Sequence, residues 1–338
     1  MIKIYDMETL EEREILFRGG SGADVSAPVA EILRAVQERG DAALREYTLR
    51  FDGAAPDALA VTAAEVDQAA AQVEPAFLAV LEGAAEHIRA YHARQKRESF
   101  VMTEREGVAL GQRIIPLARV GIYVPGGTAA YPSTVLMNAI PARIAGVGEI
   151  IMVTPPGRDG AVNPHILAAA KIAGVTRIYK VGGAQAVAAL AYGTGTIPQV
   201  DKIVGPGNAY VAEAKRQVFG RVNIDMIAGP SEVLVLADGR SNPAWVAADL
   251  LSQAEHDRMA AAVLVTDSRP LAEAVPGNPR LASPLQPTPR RAAFFAAFAA
   301  LPFAEVEKRF LALPSLPYRA AAKVLTPAMK EKIRKLLK

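Results

Sequence analysis

From Val120 onward, short β-branched runs alternate with helix-like stretches, and this alternation constrains the fold more than any other feature of the sequence. Val120–Val124, Ile150–Thr154, Arg177–Val181, Lys202–Val204, Glu232–Ala237 and Ala261–Thr266 are expected to be strands. Thr134–Gly146, Pro164–Gly174, Ala184–Tyr192, Ala209–Phe219 and Pro243–His256 are expected to be helices between them. A crossover of that length returns the chain to the same end of a sheet, so the strands should run parallel. A parallel sheet must be covered on both faces, which points to an α/β, doubly wound, Rossmann-like architecture.

The first hundred residues have a different texture and predict a helical N-terminal region. Ala27–Phe51 has helical apolar spacing and ends at Asp52-Gly53, a turn pair. Thr62-Ala-Ala-Glu65 has the pattern of a capping box and is expected to open one alanine-rich helix running to about Gln95. His87 and His92 would both lie on it. Five residues apart, they project roughly 140° from one another and cannot share a metal ion.

Three turns of the α/β region share a design. Val124-Pro-Gly-Gly127, Val181-Gly-Gly-Ala-Gln185 and Val204-Gly-Pro-Gly-Asn208 each leave the end of a strand and turn on glycine. In a parallel sheet such turns share one edge, where open α/β sheets bind ligands. Helix N-termini there offer N–H groups suited to a pyrophosphate or carboxylate. Gln185 and Asn208 add amides that can both donate and accept, as ribose hydroxyls or a carboxamide require. The chain contains neither G-x-G-x-x-G nor G-x-x-x-x-G-K-[ST], which argues against an ordinary Rossmann dehydrogenase or a P-loop enzyme.

Composition narrows the setting. Among 338 residues, 51% are hydrophobic and 22% charged, as in soluble globular chains. No apolar run approaches the ~18 residues that span a bilayer, so no membrane role is expected. The N-terminus MIKIYDMETLEEREILF is too acidic and broken for a signal peptide. No cysteine is present, which excludes disulfides, thiolate catalysis and Cys-bound zinc. A cytoplasmic protein is the expectation. The net charge of +3 conceals an uneven distribution. Ser268–Lys338 holds 13 Lys and Arg against 4 Asp and Glu, leaving 25 against 31 in the rest. The same segment holds 10 of the 24 prolines and reads as a separate basic tail, with a linker at Pro276–Pro289. Its charges are not interleaved with aromatic platforms, which argues against nucleic-acid binding.

Two later motifs complete the inventory. Ala228-Gly-Pro-Ser-Glu-Val233 precedes a strand, and Leu251-Ser-Gln-Ala-Glu-His-Asp257 ends a helix. Gln253 and His256, three apart, share a helix face. Alone, a Q-x-x-H pair beside two acids is a weak metal signal.

In succession, VGIYVPGGTAAYPSTVLMNAIPARIAGV, VGGAQAVAALAYGTGTIPQVDKIVGPGNAYVAEAK, DMIAGPSEVLVLAD and LLSQAEHD resemble the histidinol dehydrogenase family. The likeness is close from Arg97 to Asp267 and looser over the N-terminal helices. It implies two incomplete Rossmann-like domains, a homodimer, and zinc- and NAD-dependent oxidation of L-histidinol to L-histidine. Carried over by motif, Tyr123, Gln185 and Asn208 match NAD-contacting positions and Ser231 a substrate-contacting one. Gln253 and His256 match substrate-contacting positions that also serve as zinc ligands. The implied division is an N-terminal arm at 1–20, a discontinuous first α/β domain of 21–126 plus 239–267, and an NAD-binding Rossmann-like domain at 127–238. The divergent tail takes 268–338.

After Asp267 the family pattern is no longer recognisable. The resemblance there implies a Glu-His pair for acid–base work, then an Asp and a His that complete the zinc shell. His256 is the last histidine and Asp267 the last aspartate of the chain, so those positions have no counterpart and no catalytic residue can be assigned. An impaired enzyme is the expectation, with an inactive truncated or chimeric relative that keeps NAD binding or dimerisation as the alternative. The phenylalanines of Ala292–Phe303 fit a helix covering the apolar face so exposed.

Overall fold

A computed structural model of the chain describes residues 24–126, 130–227, 233–254 and 262–275. They form two compact units, 24–227 and 233–275. The expected N-terminal arm, Gly127, Ser231, His256, the linker Pro276–Pro289 and the helix at Ala292–Phe303 lie outside the described residues.

The first unit begins with four helices: α1 (Ser26–Arg39), α2 (Asp41–Asp52), α3 (Ala63–Gln72) and α4 (Pro75–Ala93). The single helix expected from Thr62 to about Gln95 is therefore two. Pro75 has no N–H to continue α3 and instead occupies the first position of α4, where that N–H would be unsatisfied anyway. The capping box at the start of α3 is present: Thr62 Oγ1 accepts from the Glu65 N–H, and Glu65 Oε2 accepts from the Thr62 N–H. The stretch Ala27–Phe51 is likewise broken, at Gly40, into α1 and α2. A hairpin of β1 (Phe100–Arg105) and β2 (Val108–Gln112) follows, exposed along both strands. Its apolar residues did not stand out as strands in the sequence.

Next come β3 (Arg119–Tyr123), α5 (Pro132–Ile144), β4 (Glu149–Thr154), α6 (Pro164–Ala173), β5 (Arg177–Lys180), α7 (Gly183–Tyr192), β6 (Lys202–Val204), α8 (Ala209–Val218) and β7 (Asn223–Ile224). The five strands form one wholly parallel sheet in the order β5-β4-β3-β6-β7. Counted from β3, this is the Rossmann order 3-2-1-4-5. β3 is the middle strand, so the sheet draws on both sides of the division expected at residue 126.

Side chains alternate across the sheet as a strand period of 2 demands. Val120, Ile122, Ile150 and Met152 join one core cluster with α3 to α6. Tyr123, Ile151, Val153 and Ile203 join the other, with α1, α2, α7 and α8. The N-terminal helices thus thicken both covering layers. The edge of β5 is capped as well: Val61 N–H donates to Ile178 O and Lys180 N–H to Leu59 O, in an antiparallel bridge. That removes an unpaired strand edge.

The second unit holds β8 (Val233–Ala237), α9 (Pro243–Ala254), β9 (Ala262–Thr266) and α10 (Arg269–Ala274). β8 and β9 pair in parallel through α9, and Val246, Leu250, Leu271 and Val275 form their core. The far face of β8 shows Leu234, 65% exposed.

Thr62→Ala removes the cap oxygen from α3 and is expected to lower stability by about 0.5–2 kcal/mol in urea denaturation. Thr62→Ser keeps the oxygen and should cost a small fraction of that.

Candidate functional site

A cleft of about 1410 Å³ lies in the first unit, lined by residues from the carboxyl ends of β3 and β4 and from the loops that follow β5 and β6. Tyr123, Pro125 and Gly126 come from β3, Thr154 to Asp159 from the β4 loop, Gly183 to Gln185 from the first turn of α7, and Asn208 from the start of α8. Tyr47 and Asp52 of α2 and Glu65 of α3 line it too. The three glycine turns therefore share one edge, as expected. The crevice between β3 and β6 is where crossovers leave in opposite directions, toward β4 and β7. That is the ligand position of open α/β sheets.

Glycine is required where these loops meet. Gly205 has φ +115°, and a Cβ there would lie 2.2 Å from Tyr123 O. No L side chain fits that backbone approach. Both polar groups of Gly205 are held from below: its N–H donates 2.8 Å to Asp225 Oδ2, and Lys215 Nζ donates 3.0 Å to its carbonyl. Lys215, 2% exposed, pairs with Asp225 through the other carboxylate oxygen. Each charge thus has its counter-ion, as burial demands.

The sequence-identified residues play distinct parts. Tyr123 is buried at the end of β3, and its Oη accepts from the Gly183 N–H at 3.0 Å. Burial pushes its phenol up to about 12, with the Gly183 bond pulling the other way and the nearby Asp52 charge adding to the rise. The phenol stays neutral near pH 7 and keeps its O–H as a donor. Asn208 is the N-cap of α8, its Oδ1 accepting from the Val211 N–H at 3.1 Å. This leaves the amide NH₂ as its group for a ligand. Some of the N–H groups expected to face an anion are therefore spent inside the protein.

Gln185 is the most telling. Only 1% exposed, it has neither amide atom hydrogen-bonded among the described residues, although it lines the cleft. An orphaned buried amide costs roughly 1–3 kcal/mol and calls for a partner from outside the fold. Gln253 lies on α9; its side chain, Ser231 and His256 are outside the described residues. His87 lies on α4, and His92 Nδ1 pairs with Gln95 Oε1 at 2.6 Å.

One cleft residue escaped the sequence reading, which took Asp52 only as part of a turn. It ends α2 instead, with Gly53 as a left-handed C-cap. Its Oδ2 is buried without a partner among the described residues, and burial alone pushes the carboxyl up to about 6. The available signal was electrostatic: an acid in the last turn of a helix opposes the helix dipole.

A family model for histidinol dehydrogenase matches residues 18–302. The chain belongs to the histidinol dehydrogenase family. A histidinol dehydrogenase of Listeria monocytogenes serotype 4b (strain F2365) is 55% identical over 266 residues, 79% of this chain and 62% of the relative. One from Syntrophotalea carbinolica is 62% identical over 244 residues, 72% of this chain and 56% of the relative. The crystal structure of the histidinol dehydrogenase from Elizabethkingia anophelis superposes with a TM-score of 0.73 at 40% identity, covering 80% of this chain and 62% of that one. This histidinol dehydrogenase family member thus spans 56–62% of the length of these relatives. The match to the family model continues past Asp267, where the quoted motifs end.

Asp52 also sets a pH dependence. Its carboxyl titrates near 6 in the fold against 3.8 when unfolded, so the protonated form favours the folded state. That contribution is full below about pH 4 and is lost as the pH rises through about 6. Asp52→Asn is expected to match the wild-type melting temperature near pH 4 and to exceed it near pH 8. Parallel melting profiles across that range would contradict the assignment.

Proposed function

We propose that this chain is a histidinol dehydrogenase-type oxidoreductase that binds NAD in the cleft of residues 24–227 and whose turnover, with these residues alone, is impaired. The reaction is the zinc- and NAD-dependent oxidation of L-histidinol to L-histidine in histidine biosynthesis. The orphaned amide of Gln185, at the crevice between β3 and β6, carries the cofactor assignment. The fit is chemical as well as spatial: a dinucleotide supplies hydroxyls and a carboxamide, which a buried amide can both donate to and accept from. Tyr123 would donate from its neutral phenol and Asn208 from its amide NH₂, while Gly205 lets the backbone come close. NAD, when bound, supplies the acceptor for hydride leaving the alcohol carbon.

Ser231, Gln253 and His256 are assigned to the substrate, the last two also to zinc. An amide oxygen and one imidazole are two donors where zinc takes three or four. Among the described residues no three His, Asp or Glu side chains converge as a metal site. Gln253 and His256 alone do not complete a zinc shell. Loss of the hydroxyl proton also needs a base, and its absence costs about 10²–10⁴ in rate. With no His after His256 and no Asp after Asp267, the residues named here supply none. The same observation favours a second reading, a catalytically inactive relative that keeps NAD binding or dimerisation. A cytoplasmic homodimer is part of the proposal, as the family resemblance implies.

NADH absorbance from the purified chain with zinc, NAD and L-histidinol tests this reading, with His256→Ala as control. Turnover at least about 10²-fold below that of a full-length relative is expected. Robust turnover abolished by His256→Ala would contradict the impairment and show that a base and further zinc ligands are supplied.

A further inference from the structure

We propose that Asp52 is a cofactor-selecting residue of the cleft, its carboxylate accepting hydrogen bonds from the hydroxyls of an unphosphorylated ribose and disfavouring a ribose that carries phosphate. This rests on the reading of the cleft as the NAD site. Asp52 lines the cleft at the end of α2, and its Oδ2 is buried without a hydrogen-bond partner among the described residues.

Three features oppose a carboxylate at this position. The carbonyl end of α2 is negative, the side chain is desolvated, and no donor reaches Oδ2. Burial is accordingly the cause of its upward shift to about 6, so near pH 7 the group is largely ionised against the preference of its surroundings. Its neighbours do not relieve it. The phenol of Tyr123 is close enough to feel its charge but is engaged with Gly183, and the guanidinium of Arg50, two residues earlier, stands 5.3 Å from the ring centroid of Phe51. Thr48, one turn back on the same face, has its own buried hydroxyl without an acceptor.

A set of polar groups left unsatisfied in one cleft marks what the missing partner must offer. Asp52 can only accept when ionised, while Gln185 both donates and accepts. A cation would satisfy Asp52 alone, but no convergent metal site is present among the described residues. Hydroxyl groups suit both, since each hydroxyl donates once and accepts as well. A phosphate on the same sugar would bring negative charge against Asp52, in a lining that holds Glu31, Glu65 and Asp159 as well against Arg50 and Arg158, with Glu65 paired to Lys180. The G-x-G-x-x-G folds place an acid for the ribose near the end of their second strand. Here that strand is β4, which ends in Thr154-Pro155-Pro156, so an acid lent by α2 fills the same need from another layer.

Calorimetric titration of the full chain with NAD and with NADP, in wild type and Asp52→Asn, tests this. The variant is expected to bind NAD about tenfold or more weakly and to discriminate less between NAD and NADP. Its melting temperature without nucleotide should be at least that of wild type near pH 8, which separates lost binding from lost folding. Unchanged NAD affinity in Asp52→Asn overturns the role of Asp52 and leaves the cleft assignment standing. Absence of NAD binding by the wild type overturns the cleft assignment and the role of Asp52 with it.

Discussion

The backbone of Gly205 passes so close to the carbonyl of Tyr123 that a Cβ would lie 2.2 Å from it, and the ligand edge depends on that approach. It brings the ends of β3 and β6 together at the point where their crossovers diverge. The buried pair of Lys215 and Asp225 secures it by binding both polar groups of the Gly205 peptide. With that loop fixed, Asn208 caps α8 at the rim. Across the crevice Tyr123 receives the first N–H of α7, which sets the turn carrying Gln185. The charge pair therefore shapes the ligand edge through the Gly205 peptide.

The same unit divides into well-satisfied and unsatisfied regions. Its two cores bury the sheet on both faces, and its strand edge at β5 is covered by Leu59–Val61. Among the described residues the buried side-chain atoms without partners are those of Thr48, Asp52 and Gln185, and the last two line the cleft. Folding alone gives no reason to keep them there, because an unsatisfied buried group costs more than an apolar one of similar shape. Their concentration at the carboxyl edge of a Rossmann-ordered sheet is the physical signature of a site waiting for a polar ligand.

Much of this was legible in the residues. The period-2 and period-3.6 runs located β3 to β6, β8, β9 and the helices between them within two or three residues, most sharply where β3, β4 and β5 are buried on both faces; the two-residue β7 and the short α10 escaped. Three glycine turns marked the ligand edge, since positive φ and close backbone approach leave few other residue types. What escaped was non-local or balanced against another signal. Pro75 split a helix whose alanines and capping box argued for continuity. The hairpin of β1 and β2 is exposed and lacks the alternation that a buried face imposes. Asp52 looked like a turn residue because Asp-Gly is a turn pair, and only its place in the cleft lining with a buried Oδ2 gives it another meaning. Lys215 and Asp225 are ten residues apart, and their pairing follows from the β6–α8–β7 crossover rather than from spacing.

The central claim is that the cleft at the ends of β3 and β6 holds NAD through Gln185. Gln185→Leu tests it most directly, because leucine is of similar size and removes both orphaned amide atoms without opening the core. NAD titration followed by tryptophan-independent calorimetry, alongside thermal melting, reads both consequences. The account predicts a fold at least as stable as wild type and NAD affinity lower by about tenfold or more, corresponding to roughly 1–3 kcal/mol for the lost hydrogen bonds. A stable Gln185→Leu protein that binds NAD as tightly as wild type would contradict it.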